Sequence, residues 1–277
     1  MSTVAVTSPA GSGVLSRHYI LSTIGMCALI GIAAFESLAV TTVMPTVTRE
    51  LHGQSLYALT FAAPLATSLV GMVIAGNWAD RSGPRAVVVA AVILFGLGLL
   101  IVGTAPTMTV LLAGRLVQGL GSGALIVGLY VMVSRLYPPA LHPSMFAGFA
   151  AAWVIPGLVG PVIAGSLTET VGWHWVFLAA LLFCVPVVAM VAPSLARLPR
   201  EVPTPGTERV PWSFSRIAWA LGAAGAVVAL NLISELPLAA SVVVIVVAIA
   251  VLGVALRPLL PRGTFRAAAG VPTLVLL

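Results

Sequence analysis

The decapeptide Gly76-Asn-Trp-Ala-Asp-Arg-Ser-Gly-Pro-Arg85 carries every charge between Leu56 and Thr104. Apolar runs flank it, Tyr57 to Ile74 on one side and Ala86 to Thr104 on the other. As helices, runs of this length cross a hydrocarbon core of ~30 Å. A polar knot between two such runs reads as a short loop joining two membrane-spanning helices. Its pattern, Gly-x-x-x-Asp-Arg-x-Gly-x-Arg, is more elaborate than a solvated turn requires. A purely local reading has Asp80 capping the helix that begins near Ala86, or pairing with Arg81 or Arg85.

Composition extends that reading to the whole chain. Of 277 residues, 60% are hydrophobic and 7% charged, with a mean hydropathy of +1.14. A soluble domain needs roughly 25% charged residues to cover its surface, so the solvent for this chain is the lipid bilayer. The net charge is +6 and every basic residue is Arg. These arginines lie in short loops, with no basic face or interleaved aromatics, which excludes nucleic acid as a partner. Cys27 and Cys184 both fall inside apolar runs, so neither a disulfide framework nor a metal site is expected.

Outward from the decapeptide, the apolar runs divide into spans at about Ile20–Val43, Ser55–Gly76, Ala86–Thr104, Met108–Val133, Met145–Leu167, Trp175–Leu195, Ile217–Ile233 and Ala239–Leu256. The fold class is therefore an all-α polytopic membrane protein. We expect a flexible cytoplasmic tail (1–19), a six-helix bundle (20–195), a cytoplasmic linker (196–215) and a two-helix hairpin (216–257). A cytoplasmic loop and the start of a truncated ninth helix (258–277) complete the map. The final apolar run, Ala267–Leu277, covers only ~16 Å as helix, about half a bilayer.

The arginines test this map. Arg17, Arg81, Arg85, Arg135, Arg197, Arg200, Arg209, Arg216, Arg257, Arg262 and Arg266 share one side, and Arg49 alone is opposite. The positive-inside rule makes the crowded side cytoplasmic, with the N-terminus. Trp173 and Trp175 then fall at the outer interface, where an aromatic belt is expected. An internal echo agrees: Gly76, Asp80 and Gly83 recur as Gly165, Glu169 and Gly172, offset by 89 residues. One triplet follows span 2 on the inside and the other follows span 5 on the outside. This is the expected mark of two three-helix units of inverted topology.

Ionisable groups at membrane depth cost several kcal/mol and need a reason. Glu36 lies ~12 Å below the outer end of span 1, and Arg115 ~10 Å below that of span 4. The two are opposite in sign and level with each other, so they are expected to meet in a shared cavity, directly or through water. Protonation of Glu36 would then loosen its hold on Arg115. The alternative is a static pair that fixes the packing of spans 1 and 4. Gln118 shares the face of Arg115, and packing explains the surrounding Gly114, Gly119, Gly121 and Gly123. In span 5, Pro156 and Pro161 remove two backbone donors and bend the helix, while Gly157, Gly160 and Gly165 allow a neighbour to approach.

Five segments resemble motifs of the major facilitator superfamily of transporters. Gly76–Arg85 resembles the loop between helices 2 and 3, with Pro84 in place of a basic residue. Leu112–Gly123 resembles the helix 4 motif, which implies that Arg115 belongs to proton-coupling machinery. Gly160-Pro161-x-x-Ala-Gly165 resembles the helix 5 motif of drug–proton antiporters, with Pro156 and Ala164 where that pattern has Gly. Glu36–Val47 and Gly172–Leu178 resemble segments of helices 1 and 6 in the fourteen-helix branch. The resemblance implies a six-helix transport bundle, with spans 7 and 8 an extra hairpin before a missing C-terminal half. With the reading of the buried charges above, the expected proton-coupling residues are Glu36, Arg115 and Gln118. The resemblance also implies a gating loop formed by Gly76, Asp80, Arg81, Gly83 and Arg85. The implied activity is proton-coupled efflux of drugs or other amphipathic small molecules. An uptake symporter and a non-transporting remnant or interaction protein stay open as alternatives. Nothing resembles a nucleophile–base pair, a phosphate-binding loop or a metal-ligand set, so neither enzyme activity nor a cofactor is expected. Glu235, Asn231 and the histidines His18, His52, His142 and His174 read as interfacial or solvated groups, Asn231 also as a hydrogen-bond partner for a neighbouring helix.

Overall fold

Lipid offers the backbone no hydrogen-bonding partner, so an apolar chain crosses it with its N–H and C=O groups paired inside each segment. The computed structural model describes residues 13–198, 212–231 and 237–259. Among them it forms helices α1 (Ile20–Glu50), α2 (Tyr57–Ser82), α3 (Pro84–Gly103), α4 (Met108–Leu136), α5 (His142–Thr170), α6 (His174–Arg197), α7 (Phe214–Asn231) and α8 (Leu238–Leu259). Seven are long and apolar enough to cross a membrane, and α8 adds the apolar stretch Ser241–Ala255. Most of the expected linker, the first part of the tail, Glu235 and the start of a ninth helix lie outside the described residues.

The helix pairings reveal the repeat. α1 packs on α5 and α6; α4 packs on α2 and α3; α3 meets α6, and α1 meets α4. Exchanging α1 with α4, α2 with α5 and α3 with α6 turns this list into itself. Since α4 runs opposite to α1, the two three-helix units are inverted. Their turns match as well. Gly83 (φ 73°) after α2 and Gly172 (φ 99°) after α5 are the positive-φ glycines among the described residues. Each is the last residue of its echoed triplet, and each sits where a Cβ would be strained.

The decapeptide is not a loop. α2 continues through Asp80 to Ser82, and Gly83 is the single non-helical residue before Pro84 opens α3. Pro84 suits that first position because its missing N–H would have no helical partner there. The Gly83 N–H closes α2 on the Ala79 carbonyl at 3.0 Å. Asp80 does not cap α3, which has no side-chain cap.

α1 also outruns its expected exit, passing Pro45 to end at Glu50. A proline removes one helical hydrogen bond and is tolerated in membrane helices where neighbours compensate. At that end Trp173 is a buried core residue, not a belt residue; its Nε1–H donates to Glu50 Oε2 at 2.7 Å. Trp175 faces outward. At the opposite, arginine-rich end, Thr23 Oγ1 donates to the Val14 carbonyl (2.7 Å) and meets the Tyr137 hydroxyl (2.8 Å). Tyr19 stacks on Tyr137. The part of the expected tail from Gly13 is thus folded against the bundle. α7 lies on α2 through Ala66, Val70, Ala220 and Ala224, and α8 packs on α7.

Candidate functional site

Helix α4 runs through the middle of the bundle because its glycines let two helices close on it. A Cβ on Gly121 would strike the backbone of Phe95 in α3, and one on Gly119 or Gly123 the backbone of Pro64 or Ser68 in α2. The long side chain that α4 carries at this depth is Arg115, only 3% exposed, and Glu36 across from it on α1 is 6% exposed. A charge so buried persists only when paired and hydrogen-bonded. Here Arg115 Nη1 donates to Glu36 Oε1 in a direct ion pair. The same nitrogen reaches Gln118 Oε1 at 2.8 Å, and Nε donates to the Thr60 carbonyl at 3.3 Å. Three helices thus bear on one guanidinium: α1 supplies Glu36 and α2 supplies the Thr60 carbonyl, while α3 packs against the Gln118 backbone at Gly98. α4 supplies Arg115 and Gln118.

The trio opens on a cavity of about 370 Å³ bounded by α1, α2, α4 and α5. Its polar lining is Glu36, Ser37, Ser68, Arg115, Gln118 and Ser122, and Trp153 of α5 borders it. The Gln118 Nε2 is buried at this edge without a protein partner. Chemically, a proton on the Glu36 carboxylate would cancel its charge and end the ion pair, leaving Arg115 charged.

The other anticipated residues lie apart from this trio. Gly76 is helical and half-buried in α2, Asp80 is exposed, Arg81 is half-buried, Gly83 is buried, and Arg85 stands in the first turn of α3. On α5, Pro156 and Gly160 are buried against α1, Gly157 is exposed, and Pro161 and Gly165 are half-buried. Asn231 donates to the Val227 carbonyl of its own helix.

Sequence reasoning missed the Thr60 carbonyl, the Trp173–Glu50 bond and the Ser22–Ser194 hydroxyl contact between α1 and α6. Hydroxyls inside apolar helices are a signal for the last of these. A backbone carbonyl gives no signal in sequence.

With this geometry established, the chain belongs to the major facilitator superfamily, whose model matches residues 24–277. Its long apolar helices make it a multi-pass membrane protein of that superfamily. Multidrug resistance protein 3 of Bacillus subtilis (strain 168) is 30% identical over 151 residues, covering 54% of this chain and 30% of that protein. Multidrug efflux pump SdrM of Staphylococcus aureus (strain N315) is 26% identical over 158 residues, covering 57% and 35%. Efflux pump FUS6 of Gibberella fujikuroi is 30% identical over 211 residues, covering 76% and 36%. The matched stretches thus span about a third of these relatives' own length. Among solved structures, the POT family transporter PepTSo superposes with a TM-score of 0.60 at 14% identity, covering 84% of this chain and 52% of its own. That likeness speaks to the fold alone.

Proposed function

We propose that this chain is the N-terminal portion of a proton-coupled efflux antiporter for drugs or other amphipathic small molecules. One observation carries the reading: a buried Glu36–Arg115 ion pair opens on a polar cavity inside a bundle related to efflux pumps. A proton arriving at Glu36 neutralises the carboxylate and removes the Coulomb term that holds Arg115. The guanidinium then keeps only Gln118 Oε1 and the Thr60 carbonyl, and α1 is free to shift relative to α4. Loss of the proton restores the pair. Coupling follows if substrate and proton compete for the state in which the pair is open.

The arginine-rich end is cytoplasmic by the positive-inside rule, with the N-terminus on that side and the cell membrane as the location. The Gly76–Arg85 turn acts there as a gate latch. Its exposed Asp80 is available to a C-terminal half, and alternating access needs two bundles about a central site. The Pro156–Gly165 segment of α5 favours export over uptake.

The test is ethidium transport in inverted vesicles, in the longest reading frame that contains this chain. Glu36→Gln is expected to insert normally and to lose the dependence of efflux on the proton gradient. Gradient-driven efflux at the parental rate in Glu36→Gln would falsify the coupling role.

A further inference from the structure

The α7–α8 hairpin has no assigned task, yet its entry segment sits on the turn discussed above. Along α2, Ala66, Val70, Val73, Asn77 and Arg81 recur at three- and four-residue steps and form one stripe. Its inner part meets Ala220 and Ala224 of α7. Its last two members meet the residues that lead into α7. Asn77 Nδ2 donates to the Val73 carbonyl at 2.9 Å, which sets the amide orientation. Asn77 Oδ1 is then directed outward and accepts from the Ser213 N–H at 3.3 Å. The Ser213 carbonyl in turn receives the Arg216 and Ile217 N–H groups, so Ser213 begins the α7 helix. One residue earlier, the Trp212 ring covers the Arg81 guanidinium at 5.4 Å, a cation–π distance.

We propose that Asn77 and Trp212 are positioning residues through which the α7–α8 hairpin holds the Gly83 turn. The inference rests on the reading of that turn as a gate. Its logic is mechanical. Arg81 lies in the last turn of α2, and only Gly83 separates α2 from α3. A contact that fixes Arg81 therefore fixes the start of α3 as well, because a single residue leaves no slack. The hairpin is thus a brace on the arginine-rich end, attached to the first bundle and moving with it. Trp212 sets how firmly the guanidinium is held in place for any group that engages the turn.

The full chain in membranes, with Cys27 and Cys184 replaced by Ala, tests this in two ways that do not depend on transport. Asn77→Cys with Ser213→Cys is expected to join under a short thiol cross-linker, and absence of the cross-link overturns the docking. Ser82→Cys, exposed at the turn, reports its mobility through labelling by a membrane-impermeant maleimide. Trp212→Ala is expected to raise that rate about two- to fivefold, whereas Trp212→Phe keeps a ring over Arg81 and stays near the parental rate. Equal rates in Trp212→Ala and the parent overturn the positioning role. Should Trp212→Ala fail to accumulate, Asn77→Ala carries the same expectation. Ethidium efflux should slow in step with the labelling change. A parent that moves no ethidium counts against the efflux reading alone, and labelling still decides this inference.

Discussion

A Cβ built on Gly119, Gly121 or Gly123 of α4 would run into the backbone of α2 or α3. One built on Gly157, Gly160 or Gly165 of α5 would find its nearest neighbour at 3.5 Å or more. The two helices look alike in sequence and differ in situation: half of an apolar 18-residue stretch of α4 is buried (50%), against 11% of the one in α5. The α4 glycines are therefore explained inside the bundle, where they let α2 and α3 close around Arg115. The α5 glycines are not required for contact with α1, since an added methyl would make ordinary van der Waals contact there. Gly160 is nonetheless buried against α1 and Gly157 is exposed, and we propose that these glycines serve a rearrangement of α5 against α1.

The sharpest challenge to this contrast is Arg115→Met, which strands the Glu36 carboxylate. It is expected to destabilise the bundle by about 3–5 kcal/mol, as broken buried pairs do. Thermal unfolding in detergent would register the loss, and adding Glu36→Gln should recover most of it. If the single variant melts like the parent, α4 is not organised around its charge. Next comes Gly123→Ala, whose methyl meets the Ser68 backbone; about 1–3 kcal/mol of overpacking strain is expected in the same melt. The smallest effect belongs to Gly157→Ala and Gly160→Ala, expected to stay within about 0.5 kcal/mol of the parent. The same two variants should slow ethidium efflux severalfold in the longer reading frame. Unfolding of either α5 variant, or full efflux by both, would erase the distinction between the helices.

How much of this was legible beforehand depended on what each residue type says alone. Glu36 and Arg115 stood out because charge at membrane depth is rare, and their levels could be computed from helical rise, so their pairing was accessible without coordinates. The echo of Gly83 in Gly172 was equally readable, since a backbone conformation that demands glycine leaves the glycine as its trace. The decapeptide misled because polar residues at the end of an apolar run suggest a loop. In fact α2 continues beyond the hydrocarbon, where water and helix geometry are compatible, and stops only at Gly83. Trp173 misled for a related reason: a tryptophan at an interface satisfies the belt rule, but here its indole N–H had a partner in Glu50 that only the fold brings near. The difference between α4 and α5 was invisible, because glycine reports that something could approach and not whether anything does.

The turn at Gly83 has a further consequence for how the protein is made. One residue spans at most ~3.6 Å of extended chain, far short of a ~30 Å hydrocarbon core. In the folded protein the end of α2 and the start of α3 are therefore on the same side of the membrane. We expect α2 and α3 to enter lipid together as a hairpin, with Asp80, Arg81 and Arg85 at one surface. The turn fixes that the two helix ends share a side, and the arginines bear on which side it is.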